Sequence, residues 1–324
     1  TTPRVETLRF QNSAEMLVAS PVQPQPLMYE RRFLPVDDDD DDALQAVLLA
    51  SLCESATSAS AEEVATSAAT QAQEALFDSC TVPDRVSKPV SLSDYAVESG
   101  LDVEAHRALR ALEEGPLHLK LCRIRGDGHC LFRAISASLV LVAAWGGNAA
   151  LMALRSHLLS LNEACAAGVV EALFHLLGRT AADASGAADA LNDEQRSDAA
   201  VGALRRCAVG HMQQHAERFR LCCDGEDLKS YCARMALMTG EGDTFSPAYG
   251  GHSEVVALSE ALQVRVEIVD CSGTAAKSTV PTYRLGEHLP MHAPVIFLLR
   301  RGLHYHLMLP AQTEGERMAG NDAE

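Results

Sequence analysis

One cysteine of the chain, Cys130, directly follows a short loop that contains two glycines. The segment reads RGDGHCLFRA, from Arg125 to Ala134, and an apolar run follows the cysteine at once. This pattern predicts a helix that begins near Cys130. A helix N-terminus stabilises negative charge, and the thiolate is the nucleophilic form of cysteine. The position suits nucleophilic catalysis, although a merely buried cysteine is the commoner reason for such a pattern.

The loop before Cys130 has the composition of a turn that can bind an oxyanion. Gly126 and Gly128 can adopt backbone conformations that are closed to other residues, and such a loop can aim successive N–H groups at one point. Asp127 can hold the loop through hydrogen bonds from backbone N–H groups to its carboxylate. These residues are therefore candidates for stabilising developing negative charge.

A cysteine nucleophile needs a general base, and the segment RRGLHYHLML offers two histidines. Residues 295–309 predict two strands that are joined by a tight turn. Because side chains alternate along a strand, His304, His306 and Met308 share one face. Tyr305, Leu307 and Leu309 share the other. Either imidazole is a candidate base, and a solvated face of an edge strand is the alternative interpretation.

The segments around these residues mix helical and strand patterns. Residues 147–221 are rich in Ala and Leu and predict several helices, interrupted by a loop at 178–195. This mixture predicts an α/β or α+β fold. Further helices are predicted at 101–115, from Cys130 onward and at 254–262, and further strands at 117–124 and 264–270.

Composition excludes several classes of function. The chain has 324 residues, of which 47% are hydrophobic, and a net charge of −17, so we expect no nucleic-acid partner. The apolar runs are too short to span a bilayer, and we expect no membrane partner and no signal peptide. Ten scattered cysteines without a CxxC pair predict free thiols in a reducing compartment, the cytoplasm or the nucleus.

A zinc site is a further alternative for one helical segment. Cys207, His211 and His215 share one face of a predicted helix, and Cys222 and Cys223 follow. Adjacent cysteines are not a usual ligand spacing for zinc. We therefore predict no metal site.

Four sequence blocks together resemble the ovarian-tumour (OTU) family of deubiquitinating cysteine proteases. They occur in the family's order and span residues 117–310. The resemblance implies an OTU-like cysteine protease fold, with a small central sheet flanked by helices, that needs no metal or organic cofactor. The blocks are GDGHCLFRAI, YCARM (231–235), YGGHSEVVALSEALQVRVEIVD (249–270) and HYHLML.

The same resemblance implies roles for individual residues. Cys130 matches the nucleophile, His304 the general base, and Asp127 the aspartate of the active-site loop. Arg133 also matches, and a structural salt bridge is as good an explanation for it as a catalytic role. The implied activity is hydrolysis of isopeptide bonds at the C-terminus of ubiquitin. The implied partners are ubiquitin or polyubiquitin chains, and we expect a monomer.

One residue departs from the family pattern. Many members carry Asp or Asn two residues after the catalytic histidine, where it orients the imidazole, whereas this chain carries His306. A neutral imidazole can accept a hydrogen bond from His304 but supplies no negative charge. We therefore expect an active but slow enzyme with His306 as the candidate orienter. The alternative is a weakly active or inactive OTU-like protein that binds ubiquitin.

The rest of the chain predicts this domain organisation. Residues 1–36 are predicted to be disordered, 37–56 to form an acidic run and a helix, and 57–96 to be a linker. The catalytic domain is predicted at 97–312, and 313–324 form a tail. A helical insertion at about 145–195 either contacts a second ubiquitin or is inert; the sequence favours neither.

The segment DDDDDDALQAVLLASLCES, which begins at Asp37, resembles a ubiquitin-interacting motif. Leu44, Val47 and Ser51 would lie on neighbouring turns of one helix and contact the hydrophobic patch of ubiquitin. Val47 departs from the motif, which prefers Ala there. The alternative is a solvated acidic run with an incidental amphipathic turn.

Overall fold

The computed structural model describes residues 84–161, 164–177, 184–223, 225–238, 248–272 and 280–311. Four predictions concern segments outside this range and stay predictions. They are the disorder of residues 1–36, the acidic run and motif-like helix with Leu44, Val47 and Ser51, the part of the linker at 57–83, and the tail at 313–324.

A five-stranded sheet carries the histidines. Its order is β1-β5-β4-β2-β3, with β2 and β4 parallel and the other neighbours antiparallel. Four of the strands were predicted, whereas the edge strand β3 was not, because only one of its four residues is buried. The strands are β1 (Leu119–Cys122), β2 (Arg265–Asp270), β3 (Thr282–Leu285), β4 (Val295–Arg301) and β5 (His304–Pro310).

Ten α-helices lie within the described part of the chain, and none of these is long and apolar enough to cross a membrane. They are α1 (Leu92–Glu98), α2 (Val103–Glu114), α3 (Cys130–Trp145), α4 (Gly147–Ser160), α5 (Ala164–Leu177), α6 (Ala184–Asn192), α7 (Glu194–Gln214), α8 (Ala216–Phe219), α9 (Leu228–Ala236) and α10 (His252–Leu262).

Helix α3 forms the centre of the core. It is apolar around most of its circumference, and 14 of its 16 residues are buried. One side packs against β4 and β5, and the other sides contact α4 to α7. This burial places Cys130, the first residue of the helix, at the junction between the sheet and the helical layer.

Two predicted boundaries differ from the structure. The predicted linker runs to residue 96, whereas Val86 pairs with Ile124 and Tyr95 of α1 is buried. Isolated pairs and one short helix leave no periodic pattern, so this packing could not be predicted from local sequence. The predicted loop at 178–195 contains α6 and the start of α7. Buried residues of α4 to α6 belong to the same core as α3.

Candidate active site

The first residue of α3, Cys130, lies beside the start of β5. Its thiol donates a hydrogen bond to the carbonyl of Leu303, at 3.8 Å, and accepts one from the backbone N–H of Tyr305. These two residues flank His304, and both Cys130 and His304 are fully buried. The fold therefore brings the candidate nucleophile to the candidate base across 174 residues of sequence.

The electrostatic state of the thiol differs from the sequence-based prediction. Burial raises the pKa of Cys130 to about 11. Hydrogen bonds from the backbone N–H groups of Tyr305 and Leu131 act in the opposite direction. The helix N-terminus thus favours the thiolate as predicted, but desolvation outweighs it. The thiol is neutral at pH 7 in this conformation.

Alkylation of Cys130 in the free protein is expected to accelerate about tenfold per pH unit between about pH 7 and pH 9, because only the thiolate reacts and the pH stays below the pKa. Short exposure to iodoacetamide followed by site-resolved mass spectrometry measures this rate, with the half-buried Cys222 as an internal reference. A rate at Cys130 that is already constant above about pH 7 would contradict the neutral thiol.

The two histidines of β5 contact each other. His304 Nε2 lies 3.2 Å from His306 Nδ1, and the backbone N–H of Ile124 donates to the same Nδ1 at 3.1 Å. A backbone N–H can only donate, so His306 Nδ1 is an acceptor and its ring proton sits on Nε2. The Nε2–H of neutral His304 then donates to His306. This leaves His304 Nδ1 as the basic nitrogen.

The position of β5 excludes the solvated-edge interpretation of these histidines. β5 lies between β1 and β4 in the sheet, and both imidazoles are buried. Tyr95 of α1 packs edge-on against the ring of His306, with centroids 5.2 Å apart. Arg123 lies over the Tyr95 ring at 5.5 Å. Sequence reasoning missed Tyr95, because it lies 211 residues before His306 in a segment without a repeating pattern.

Asp127 holds the loop before Cys130 in two ways. It accepts two hydrogen bonds from Arg133 Nη1, at 2.6 and 2.7 Å, and one from the backbone N–H of His129, at 3.1 Å. Burial acts to raise the pKa of Asp127, but the hydrogen bonds and charge of Arg133, together with His129, hold it below its ordinary value. The structure thus contains both the loop hydrogen bond and the Arg133 salt bridge that the sequence suggested.

Three of the four sequence blocks meet behind Cys130. Buried Glu254 accepts hydrogen bonds from the Tyr231 hydroxyl and the Gly251 N–H, both at 2.7 Å. Burial raises the pKa of Glu254. The neighbouring Gly250 packs so closely on α3 that an added Cβ would lie 2.7 Å from a Leu131 methyl carbon. The central block therefore supports the first turn of α3 directly.

Gly250→Ala is expected to lower the free energy of unfolding by about 2 kcal/mol, because the new methyl group overlaps the side chains of Leu131 and Phe132. Urea denaturation measures the change. Gly168→Ala on α5 is the matched control, since nothing lies within 4 Å of an added Cβ there. Equal stability of the Gly250→Ala variant and wild type would show that the contact relaxes without strain.

The segment considered for zinc carries an ion pair. His211 Nε2 lies 3.0 Å from a carboxylate oxygen of Glu260, which also pairs with Arg218 at 2.6 Å. Across the described ranges, no group of three or more His, Cys, Asp or Glu side chains is arranged to hold a metal ion.

Comparison with known proteins identifies the family. The model of the family described as Peptidase C65 Otubain matches residues 84–310. A structure of h/ceOTUB1 with ubiquitin aldehyde and UBC13~Ub is 20% identical with a TM-score of 0.55, covering 75% of this chain and 97% of that chain. A structure of ceOTUB1 with ubiquitin aldehyde and UBC13~Ub is 21% identical with a TM-score of 0.54, covering 75% and 100%.

These structural likenesses confirm the predicted OTU fold, with its central sheet flanked by helices. A search of curated proteins gave no match. The family match covers the Cys130 helix, the central block and the two histidines of β5. The chain belongs to the peptidase C65, or otubain, family of OTU proteases.

Proposed function

We propose that this protein is a deubiquitinase that hydrolyses isopeptide bonds at the C-terminus of ubiquitin, with Cys130 as nucleophile and His304 as general base. The observation that carries the proposal is the contact of the Cys130 thiol with the backbone on both sides of His304. The OTUB1 structures that share the fold contain ubiquitin aldehyde, which supports ubiquitin as the partner.

The geometry suits general-base catalysis from a neutral thiol. His304 Nδ1 takes the thiol proton as the sulfur attacks the carbonyl carbon at the ubiquitin C-terminus, and a carbon–sulfur bond forms. The proton then passes to the leaving lysine amine as the carbon–nitrogen bond breaks. A water molecule then attacks the thioester carbonyl carbon as His304 takes one of its protons, and a carbon–oxygen bond forms. The carbon–sulfur bond breaks, the ubiquitin carboxyl group is released, and the protonated His304 returns the proton to the sulfur.

The loop before the nucleophile supplies the electrostatic part of the mechanism. The N–H of Cys130 is one of the first four in α3, which have no partner inside the helix. Such an N–H can donate to the oxyanion of the tetrahedral intermediate. Asp127 keeps the loop in place through His129 and Arg133. We therefore assign Asp127 a positioning role.

Two further predictions extend the proposal. We propose that Leu44, Val47 and Ser51 bind ubiquitin and raise the local substrate concentration. We also propose that the protein works as a monomer in a reducing compartment, the cytoplasm or the nucleus. Seven cysteines in the described part of the chain are free thiols, which supports this location.

Covalent capture by a ubiquitin C-terminal electrophile tests the proposal. Ubiquitin propargylamide is expected to add one ubiquitin to the full chain, and Cys130→Ala is expected to abolish the adduct. Cys222→Ala, the same change at a half-buried cysteine, serves as the control and keeps the adduct. Absence of an adduct and of cleavage across a panel of ubiquitin chains, or an adduct that persists in Cys130→Ala, would overturn it.

The second candidate function, ubiquitin binding without appreciable turnover, is favoured by His306. His306→Asp is expected to raise kcat about tenfold, because a carboxylate bonded to His304 stabilises the imidazolium that forms during attack. His306→Asn is the control. It also removes the imidazole ring and can accept the hydrogen bond from His304, but it carries no negative charge. Ubiquitin–rhodamine hydrolysis by folded variants measures the effect. A His306→Asp rate equal to or below wild type would contradict the orienting role.

A further inference from the structure

Arg205 of α7 is a buried residue outside the four sequence blocks. Its side chain forms hydrogen bonds with the loop before Cys130. Arg205 Nη2 donates to the carbonyls of Gly128 and Ala248, both at 2.8 Å, and Nη1 donates to the carbonyl of Met235 at 2.9 Å. The side chain is fully buried. A single guanidinium therefore ties together three segments that are distant in sequence.

Arg205 also contacts the residue directly before the nucleophile. Its Nε donates to His129 Nδ1 at 3.3 Å, and its guanidinium lies over the Phe132 ring at 4.5 Å. Burial lowers the pKa of His129 to about 4, and the Arg205 charge acts in the same direction. His129 is therefore neutral and accepts this hydrogen bond. Arg205 thus holds both residues between Asp127 and Cys130.

These contacts fix the orientation of one peptide group. In a trans peptide the carbonyl of one residue and the N–H of the next point in opposite directions. The Gly128 carbonyl is bound by Arg205, and the His129 N–H is bound by Asp127 at 3.1 Å. Gly128 has a φ of +80°, a conformation that glycine adopts easily. The peptide before Cys130 is therefore held from both sides.

We propose that Arg205 is a positioning residue for the reaction. By fixing the Gly128–His129 peptide, it aims the Cys130 N–H at the oxyanion of the tetrahedral intermediate. This inference rests on the proposed function. A lysine could not replace Arg205. The guanidinium is rigid and planar and donates to three carbonyl groups at once, whereas the compact ammonium of lysine lacks this geometry.

The charge environment of the guanidinium agrees with this role. Burial lowers the pKa of Arg205 to about 10, while negative charge on the carboxylates of Glu254 and Asp127 acts to raise it. The guanidinium is therefore protonated at neutral pH and keeps all its donors.

Arg205→Lys in the full chain tests the proposal, with Arg206→Lys as the matched control on the exposed face of the same helix. Arg205→Lys is expected to lower kcat for ubiquitin–rhodamine by about 50-fold, with KM unchanged, since oxyanion donors act on the transition state. Its affinity for ubiquitin aldehyde is expected to fall by a similar factor, because the thiohemiacetal oxygen occupies the same position. Arg206→Lys is expected to match wild type.

Failure of the proposed function and failure of the positioning role of Arg205 give different experimental results. A wild type that neither cleaves nor captures ubiquitin overturns the proposed function itself. An active wild type whose folded Arg205→Lys variant keeps its kcat and its affinity for ubiquitin aldehyde overturns the role of Arg205. The role of Arg205 is also overturned if the activity of the variant falls only in proportion to its folded fraction, as measured by circular dichroism.

The wild-type complex gives a test that does not depend on the folding of a variant. In a crystal structure with ubiquitin aldehyde, the Gly128 carbonyl is expected to remain bound to Arg205. The thiohemiacetal oxygen is expected to lie about 3 Å from the Cys130 nitrogen. A Gly128 carbonyl turned away from Arg205 in that complex would overturn the inference.

Discussion

His304→Gln is expected to lower kcat for ubiquitin–rhodamine hydrolysis by about 1,000-fold and to leave ubiquitin binding unchanged. The amide of Gln can donate to His306 Nδ1 as His304 does, so the local hydrogen bond is retained. It cannot accept the thiol proton, and loss of general-base catalysis lowers rates by about 10²–10⁴-fold. Because the thiol is neutral in this conformation, the base is needed for every turnover.

Steady-state kinetics measure this effect, and calorimetric titration with ubiquitin measures binding. His288→Gln, the same substitution at an exposed histidine, serves as the control and is expected to match wild type. A loss of less than about tenfold in folded His304→Gln would show that another group removes the thiol proton.

Asp127→Ala is expected to lower the free energy of unfolding by about 3 kcal/mol, because it leaves the charge of fully buried Arg133 poorly compensated. A second carboxylate, that of Asp198, lies 3.5 Å from this guanidinium. The same substitution removes the acceptor of the His129 N–H, so we expect kcat to fall as well. Urea denaturation and ubiquitin–rhodamine hydrolysis measure the two effects.

The double variant Asp127→Ala/Arg133→Met separates stability from positioning. Removing both charges is expected to restore most of the lost stability, whereas kcat stays low because the loop lacks its acceptor. Full recovery of kcat in the double variant would show that Asp127 acts only through stability. Stability of the single variant within about 1 kcal/mol of wild type would show that Asp198 compensates the charge alone.

The stabilisation by Asp127 also depends on pH in a defined direction. Its pKa is lower in the folded state than in the unfolded chain. The stabilisation is therefore fully present above the unfolded pKa of about 4 and is lost as pH falls through the folded pKa. The stability difference between wild type and Asp127→Ala is expected to be constant above about pH 5 and to shrink in acid.

Local patterns predicted the elements that carry the reacting groups. The apolar run after Cys130 predicts α3, and the two-residue period of β5 places His304 and His306 on one face. The helix pattern and the strand alternation both depend on neighbouring residues alone, so a single sequence is enough to predict them. The packing of residues 84–98 depends on single distant contacts, such as the pairing of Val86 with Ile124. Such a contact cannot be predicted from the residues next to it in the sequence.

The sequence by itself determined which residue types could react and which helix and strand present them. Only the tertiary structure decided how they are held and charged. Arg205 reaches the Gly128 carbonyl from a helix 77 residues away, and burial raises the pKa of Cys130 against the helix N-terminus. Hydrogen-bond partners and desolvation depend on how distant segments pack. The spacing of residues within one segment does not reveal which other segments pack against it.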